Sequence, residues 1–371
     1  MIRLTKPELS GVLERVGELL DTGFLVQGRK VREFETAVAR YVGRRHAMAV
    51  NSGTAAIQCA VMGMGIGPGD EVALPDFTFP ATANAVVLAG ARPVLVDIDP
   101  ATFNMHPPAL AERLTSDTRA VMPVDLFGLA ADLGAIEEIC RSRDLLLIED
   151  SACALGAMHR GGRCGAFGNA SALSFHPRKV LTTGEGGMVL TDSDEVAGRV
   201  SELRNHGIRV TDGRPEFVTA GYNFRMNEIE AALGLAQMEH LDRLIGQRRK
   251  IAGCYGRLLA GVDGVVCPRE PEAYFHTYQS YVVMTGDQID RDLLINKLRE
   301  RGVESGIGTY ALHIQPYYRN LLGHRPGDFP HSFRALKQSL SLPMYPSMTE
   351  DEVAQVVEAL EDSIPRTSAG T

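Results

Sequence analysis

SALSFHPRKVLTTGEGGMVLTD, residues 171–192, is the stretch around which the rest of the sequence is organised. It contains two β-like runs, Ala172–Phe175 and Met188–Thr191. Lys179 lies between them in a loop of glycine and hydroxyl residues. Such a composition lets the backbone approach a bulky ligand closely. The stretch therefore predicts two strands joined by a loop that presents one lysine.

Lysine is rare in this chain, and arginine supplies most of the positive charge. The lysines are Lys6, Lys30, Lys179, Lys250, Lys297 and Lys337. Five of them lie in helix-like patterns or in a polar turn, whereas Lys179 follows a strand and lies in a Gly/Ser/Thr loop. That setting is expected of a lysine that forms a Schiff base with a carbonyl cofactor. By itself, the pattern is equally typical of a surface hairpin with an incidental lysine.

The composition limits the classes of protein to which the chain can belong. Its 371 residues and 44% apolar content suffice for two domains, or for one large domain with an appendage. Acidic residues outnumber basic ones by 46 to 38, a net charge of −8, and the basic residues form no cluster. This balance argues against nucleic acid and anionic membranes as partners.

Targeting and cysteine patterns favour a cytoplasmic protein. The longest apolar runs fall short of the ~18 residues that a membrane-spanning helix needs. The N-terminus lacks the apolar core of a signal peptide. The six cysteines are scattered, without a Cys-x-x-Cys pair. We therefore expect reduced thiols, no metal site and no membrane partner.

Strand-like and helix-like segments alternate along the chain after Arg45. The most apolar of the predicted strands is Leu145–Ile148, which is followed by Glu149 and Asp150. Strands separated by helices and short turns predict an α/β fold, in which a mostly parallel central sheet is covered by helices on both faces.

Two helical patterns, and a change in the type of segment near residue 250, complete the predicted architecture. Thr5 and Glu8 form a capping-box pattern ahead of a predicted N-terminal helix. Asn227–Ile245 predicts a long helix, whose pattern continues beyond its C-terminal end. From about residue 250 the segments are those of a smaller α+β domain. We therefore predict a large domain over residues 1–249 and a small C-terminal domain over residues 250–371.

The segment Asn51–Ala56 joins a predicted strand to a predicted helix. A helix that opens with Gly53, Thr54 and Ala55 exposes free N–H groups and the positive end of its dipole, which suits a phosphate group. The same pattern is also typical of an ordinary N-cap formed by Ser52 or Thr54.

Asp150 lies at the C-terminal end of the most apolar strand, the edge at which open α/β sheets bind ligands. A carboxylate there can keep a pyridine nitrogen protonated, which turns the ring into an electron sink. Glu149 is an alternative for this role, and a simple turn cap is another interpretation. Phe79 can stack on a planar ring, although core packing is the commoner role of such an aromatic. Phosphate turn, aromatic, aspartate and lysine occur in the order that a pyridoxal-phosphate enzyme would need.

Six motifs extend over nearly the whole chain. In order they read GFLVQGRKVREFETAVARYVGRRHAMAVNSGTAAI (23–57), GPGDEVALPDFTFPATANAVVLAGARPVLVDID (67–99), LLLIEDSACALGA (145–157), SFHPRKVLTTGEGG (174–187), GYNFRMNEIEAALGLAQM (221–238) and SLPMYPSMTEDEV (341–353). Together they resemble the DegT/DnrJ/StrS family of sugar-nucleotide aminotransferases. The resemblance implies an aspartate aminotransferase-like fold (pyridoxal-phosphate fold type I), pyridoxal 5'-phosphate as cofactor, and a homodimer with shared active sites.

The resemblance assigns roles by position in this sequence. Lys179 is similar to the lysine that holds the cofactor and shuttles protons, and Asp150 to the partner of the ring nitrogen. Phe79 matches the aromatic that stacks on the ring. The other cofactor-binding positions that the resemblance implies are Gly53, Thr54, Ala55, Ser174 and, toward the phosphate of the neighbouring subunit, Asn223.

Two positions depart from the pattern of the family. Many members carry Gln or His three residues after the aspartate, in contact with the phenolic oxygen of the cofactor, whereas this chain has Cys153. A thiol is a weak donor, so a cofactor contact by Cys153 would be weak. A substrate-side motif is shortened around Tyr310 and His313, which are expected to contact the sugar.

The retained Lys179 favours amino transfer, because one branch of the family replaces this lysine with histidine and performs dehydration. We expect transfer of an amino group from an amino acid, L-glutamate in the first place, to a keto-sugar nucleotide. Two alternatives stay open. One is a pyridoxal enzyme that acts on a cyclitol or another non-nucleotide ketone, and the other is a non-catalytic regulator that keeps the fold.

Overall fold

The computed structural model describes residues 1–9 and 12–364 of the chain. Helices and strands alternate in its N-terminal half, as the sequence predicts. In chain order the α-helices are α1 Val12–Thr22, α2 Arg29–Val42, α3 Gly53–Gly63, α4 Ala81–Leu88, α5 Pro107–Arg113, α6 Leu133–Ser142, α7 Asp194–Leu203, α8 Glu228–Met238, α9 Leu241–Leu259, α10 Arg291–Glu300, α11 Pro316–Leu322, α12 Pro330–Gln338 and α13 Glu350–Glu361.

A seven-stranded sheet forms the centre of the larger part of the molecule. In chain order its strands are β1 His46–Val50, β2 Glu71–Pro75, β3 Arg92–Val96, β4 Thr118–Val121, β5 Leu146–Asp150, β6 Ala170–Ser174 and β7 Gly187–Thr191. Their order across the sheet is β1-β7-β6-β5-β4-β2-β3. Strand β7 runs antiparallel to both of its neighbours, and the other adjacent pairs are parallel. The predicted, mostly parallel sheet is confirmed.

Helices cover both faces of this sheet. In β2, Val72 and Leu74 pack in one apolar cluster with Ile57 of α3. Ala73, between them, packs in a different cluster with Ile136 of α6. Because successive side chains of a strand point to opposite faces, the alternation shows that the sheet is buried on both sides.

The strand register brings several chain segments to one edge of the sheet. Ser174, the last residue of β6, pairs with Gly187, the first residue of β7, and Gly187 in turn pairs with Val50 at the end of β1. Asp150 ends β5 and pairs with Ala172 of β6. The β6–β7 hairpin and its loop agree with the sequence prediction, and the loop leaves the sheet at this carboxyl-terminal edge, where α/β folds bind ligands.

A second sheet lies in the C-terminal part of the chain. Its strands are β8 Val265–Val266, β9 Tyr281–Thr285, β10 Gly306–Ile307 and β11 Ser339–Leu342, and their order is β8-β9-β11-β10. Each adjacent pair is antiparallel. Apolar residues of α10 and α13 pack in one cluster with this sheet. This arrangement is the predicted smaller α+β domain.

The long helix predicted over residues 227–245 is divided in two. Helix α8 ends at Met238, and α9 begins at Leu241 after a short turn. Leu241 and Ile245 pack in a core cluster of the large domain, whereas Ile251 lies in the cluster of the small domain. The predicted boundary at residue 250 therefore falls within α9, which belongs to both cores.

Two segments depart from the predicted domain ranges. The N-terminal residues are not helical, so the predicted capping box at Thr5 is wrong; instead Ile2 pairs with Val303 of the small domain. Later in the chain, Leu312 and Phe329 pack in the core cluster of the large domain. Among the described residues, no helix is both long enough and apolar enough to cross a bilayer.

Candidate active site

Asp150 is buried, with 3% of its surface exposed, at the carboxyl end of β5. Its Oδ2 accepts a 2.8 Å hydrogen bond from Thr82 Oγ1, and its Oδ1 accepts one of 3.2 Å from the N–H of Ala152. Burial raises the pKa of Asp150 to about 6, although both hydrogen bonds and the charge of Lys179 oppose that rise. The charge of Lys179 therefore acts on the same carboxylate that the two hydrogen bonds stabilise.

Glu149 points to the opposite face of β5, so it is not the site carboxylate that the sequence left as an alternative. Its two oxygens accept hydrogen bonds of 2.8 and 3.0 Å from the N–H groups of Gly165 and Phe167. Burial, followed by the charge of nearby Asp125, raises the pKa of Glu149 well above its ordinary value. A carboxyl oxygen of Glu149, a carboxyl oxygen of Asp125 and Sγ of Cys164 all lie within 4.8 Å of one another.

This cluster stabilises the fold beneath the site. Asp125 accepts hydrogen bonds of 2.8 Å from the N–H of Ala131 and from the hydroxyl of Ser151. Because Asp125 and Glu149 both accept bonds from neighbouring chain segments, they fix the loops on either side of β5. Their contacts form an internal hydrogen-bond network.

Lys179 lies in the β6–β7 loop and is half-buried. Its Nζ lies 2.9 Å from Sγ of Cys153, which is also half-buried. Cys153 is the residue expected beside the cofactor, and the structure places its thiol against the predicted catalytic amine. The residue that departs from the family pattern therefore contacts the lysine on which the proposed chemistry depends.

Three contacts hold the lysine loop in place. The N–H of Thr183 donates to the carbonyl of Phe175 at 2.9 Å, which closes the loop. The N–H of Thr182 donates to the side chain of Gln237 in α8 at 3.1 Å. The Gln279 amide donates to the carbonyl of Arg178 at 2.7 Å, next to Lys179. The loop is thus fixed by α8 on one side and by the C-terminal part of the chain on the other.

The predicted phosphate turn begins α3. Ser52 caps the helix, because its hydroxyl accepts a 3.1 Å bond from the N–H of Ala55. The N–H groups of Gly53 and Thr54 have no hydrogen-bond partner among the described residues. The N-cap and the phosphate interpretations are therefore compatible, since the cap leaves two donors free for a ligand.

Glycine at position 53 brings the start of α3 close to β6. A Cβ atom at Gly53 would lie 2.6 Å from Cβ of Ser174 and 2.7 Å from its Oγ. Gly187 is equally constrained, because a Cβ there would lie 2.3 Å from the carbonyl oxygen of Ser52. These approaches place the hydroxyl of Ser174 beside the free N–H groups of α3, as a cradle for one anion.

Phe79 and Phe77 have different roles despite their proximity in sequence. Phe77 is fully buried, whereas 61% of the Phe79 surface is exposed in this chain. The ring centroids of Phe79 and Tyr310 lie 6.3 Å apart. Core packing is therefore not the role of Phe79, and its ring is free to stack on a ligand.

The structure separates the two expected sugar contacts. Tyr310 is 38% exposed and lies beside Phe79, which keeps it a candidate. His313 is fully buried, and its ring nitrogens lie 2.6 Å from Asp76 Oδ2 and 3.4 Å from the carbonyl oxygen of Pro326. We therefore do not retain His313 as a sugar contact, because its position is that of a buried core histidine.

Asn223 is exposed and lies next to the phosphate turn of its own chain. Its carbonyl oxygen accepts a 3.4 Å bond from the side chain of Asn51. The side chain itself is therefore available to a neighbouring subunit, as the family resemblance implies.

Sequence reasoning missed Thr82, which supports the site aspartate. The residue is 1% exposed, and its hydroxyl also lies 3.0 Å from that of Thr78. The available signal was a hydroxyl residue between two alanines in the first turn of α4.

The arrangement fits pyridoxal phosphate. Free N–H groups and the Ser174 hydroxyl would hold the phosphate, the exposed ring of Phe79 would cover one face of the pyridine, and Asp150 would accept a bond from the ring nitrogen. Lys179 provides the amine for the carbonyl. Each part of the cofactor thus has a partner of suitable chemistry at one edge of the sheet.

Comparisons with known proteins agree with this geometry. The sequence profile of the DegT/DnrJ/EryC1/StrS aminotransferase family matches residues 10–361. The GDP-perosamine synthase of Caulobacter vibrioides is 39% identical over 365 residues, which cover 97% of each chain.

Solved structures show the same fold. The aminotransferase TlmJ from Streptoalloteichus hindustanus is 33% identical, with a TM-score of 0.91 over 98% of both chains. The PLP-form of Spr1654 from Streptococcus pneumoniae is 26% identical, with a TM-score of 0.91 over 96% of both chains. The predicted aspartate aminotransferase-like fold and the predicted aminotransferase class are confirmed.

Proposed function

Because the chain belongs to the DegT/DnrJ/EryC1/StrS aminotransferase family, we propose that it uses pyridoxal phosphate to transfer an amino group from an amino acid to a keto-sugar nucleotide. The observation that carries this proposal is that Lys179 Nζ lies 2.9 Å from Sγ of Cys153, three residues after Asp150 at the carboxyl end of β5. The sugar substrate is supported by the name of the GDP-perosamine synthase, which aligns over nearly its whole length.

The cofactor, when bound, supplies a carbonyl that exchanges amino groups and a ring that accepts the electron pair left by proton removal. Lys179 Nζ is the group that moves the proton between the donor α-carbon and the cofactor carbonyl carbon. Its contact with Cys153 at 2.9 Å positions the amine inside the site.

Asp150 keeps a proton on the ring nitrogen. Its carboxylate is fixed by Thr82 and by the N–H of Ala152, so its remaining lone pairs have a defined direction. The free N–H groups of α3 and the hydroxyl of Ser174 orient the phosphate. With the cofactor bound, the ring of Phe79 would stack on one of its faces and would restrict the access of water.

The proposal also includes a homodimer with shared active sites. Exposed Asn223 lies beside the phosphate turn of its own chain, at the surface where a second copy would complete the site. The ring of Phe79 is also exposed in a single chain, and a second copy packed against this surface would bury it.

The deciding experiment uses Lys179→Ala. Native protein loaded with pyridoxal phosphate is expected to convert L-glutamate to the keto acid in a single turnover, and then to aminate a keto-sugar nucleotide. Borohydride reduction should attach a pyridoxyl group to the peptide that contains Lys179. The variant should lose the label and turnover, by at least about 10²-fold.

A panel of acceptors separates the alternatives. Amination of a cyclitol ketone without amination of any keto-sugar nucleotide would contradict the proposed acceptor. Failure of the native protein to react with any amino acid would instead favour a regulator.

A further inference from the structure

A cavity lies beside the proposed site. Its volume is about 230 Å³, and it lies between the N-terminal segment, the small domain and the lysine loop. The residues with polar side chains that line it are Thr5, Arg178, Gln279, Ser280, Ser305, Tyr310 and Ser341. Aspartate and glutamate are absent from the described residues that line it. The cavity is thus polar and carries positive charge from a single arginine.

Arg178 supplies that charge. Its side chain is exposed, and its guanidinium forms neither an ion pair nor a hydrogen bond with the described residues. The backbone at this position is nevertheless fixed, because its carbonyl accepts a 2.7 Å bond from the buried amide of Gln279. A fixed arginine without a partner is a suitable ligand for a carboxylate, which it binds through two parallel hydrogen bonds.

Ser305 contributes a second donor in the cavity wall. Its hydroxyl is shielded from solvent and has no hydrogen-bond partner among the described residues. An unpaired hydroxyl is costly in a folded protein. A ligand oxygen in the cavity would pair it, because rotation about one side-chain bond redirects the hydroxyl.

The position of the cavity connects it to the reacting groups. Arg178 directly precedes Lys179, so the guanidinium and the amine leave adjacent residues of one fixed loop. On the other side, the wall residue Tyr310 lies 6.3 Å, ring to ring, from Phe79. A molecule in the cavity would therefore extend from the small domain toward the cofactor.

The size of the cavity limits what it can hold. Its volume is about 230 Å³, below the ~300–1,000 Å³ of pockets that take drug-sized ligands. An amino acid fits this space.

We propose that this cavity is the amino-donor subsite, in which Arg178 and Ser305 bind a carboxylate of an acidic amino acid. The inference rests on the proposed function for the identity of the donor. It goes beyond that function because it assigns donor selection to two residues outside the cofactor site.

The first test measures binding without turnover. Glutarate, a dicarboxylate without an amine, is titrated calorimetrically into the protein loaded with pyridoxal phosphate. Arg178→Gln should raise the Kd of glutarate about 10- to 100-fold, and Ser305→Ala should raise it less. Arg143→Gln removes the same charge from an exposed site elsewhere and should leave the Kd unchanged.

The second test separates the two half-reactions. Arg178→Gln should raise the KM for L-glutamate and leave the KM for the keto-sugar nucleotide near its native value. Arg178→Lys should recover part of the loss, because it restores charge without the paired donors. L-Alanine, which lacks the second carboxylate, should be a poor donor.

Three results would overturn the inference. One is unchanged glutarate binding in Arg178→Gln. Another is a loss confined to the sugar-nucleotide half-reaction. A third is that Arg178→Gln weakens the binding of inorganic phosphate more than the binding of glutarate. This result would assign the cavity to a phosphate group of the nucleotide. Inactivity of the native protein toward all amino acids would refute the proposed function instead, and glutarate binding would still test the cavity.

Discussion

Thr82 Oγ1 donates a 2.8 Å hydrogen bond to Oδ2 of Asp150, and this bond joins the first turn of α4 to the carboxyl end of β5. The bond stabilises the ionised carboxylate and lowers its pKa against the larger effect of burial. A residue of α4 without an assigned cofactor contact therefore lowers the proton affinity that burial raises.

Thr82→Val should raise the pKa of Asp150 further above about 6, because it removes a donor to the charged form. A carbon-13 NMR titration of the aspartate carboxyl groups in the cofactor-free protein checks this shift. Thr82→Ser keeps the hydroxyl and should titrate like the native protein. An identical pKa in the valine and serine variants would mean that the bond does not control Asp150.

Cofactor affinity should fall as the pH drops through about 6. Burial raises the pKa of Asp150 from 3.8 to about 6, so below that pH the carboxyl is neutral in the cofactor-free protein. Holding a protonated ring nitrogen then requires proton release, which costs roughly tenfold in affinity for each pH unit.

Asp150→Asn provides the comparison for that measurement. The difference between the pH profiles of Kd for the two proteins isolates the aspartate, since the phosphate group titrates equally in both. The variant should also slow the donor half-reaction by about 10²- to 10³-fold, because the ring nitrogen is no longer held protonated. Parallel profiles and equal rates would remove Asp150 from its assigned role.

Gly53→Ala should destabilise the protein and weaken cofactor binding. The added Cβ would lie 2.6 Å from Ser174, so α3 must move away from β6. We expect a loss of about 1–3 kcal/mol in the free energy of unfolding, which urea denaturation measures. In the double variant with Ser174→Gly the space is restored, so stability should recover, while affinity for pyridoxal phosphate stays low without the hydroxyl.

Glu149→Gln should lower the stability of the fold and leave the rate of the donor half-reaction nearly unchanged. The buried carboxylate accepts bonds from the N–H groups of Gly165 and Phe167, and an amide would turn its own N–H₂ toward one of them. The free energy of unfolding should fall by about 1–3 kcal/mol. The single-turnover rate with L-glutamate, measured at a temperature where the variant is folded, should stay close to that of the native protein.

Mixed dimers test whether active sites are shared. Lys179→Ala and Asn223→Ala are each expected to impair the enzyme alone. If Asn223 serves the partner subunit, a mixture of the two variants regains about a quarter of native activity, because each mixed dimer has one intact site. If Asn223 serves its own subunit, mixing restores nothing beyond the average of the separate variants.

Local patterns were sufficient to predict most of the fold. Apolar runs and turn residues placed β5, β6 and β7 within one or two residues of their observed bounds, because these segments are buried on both faces. The turn at His240, which divides α8 from α9, was not predicted. Its neighbours are good helix formers, and the helices separate because they pack on different elements.

Contacts between distant parts of the sequence explain what could not be predicted. Glu149 and Asp150 are both buried, and only the strand register decides which of them faces the site. The partners His313 and Asp76 are 237 residues apart. Resemblance to a substrate-side motif indicated a sugar contact for His313, whereas in the structure this residue joins two segments of the core.

The first residues of the chain pair with its C-terminal part, and this contact limits how the protein can be divided into fragments. The N–H of Ile2 donates to the carbonyl of Gly302, and the N–H of Met344 donates to that of Leu4, so the first residues form part of the C-terminal fold. A fragment that starts at residue 250 would lack this strap and would also carry Leu312 and Phe329 without their core. Expression of either half alone should yield an insoluble product, and only co-expression of both would reconstitute the molecule.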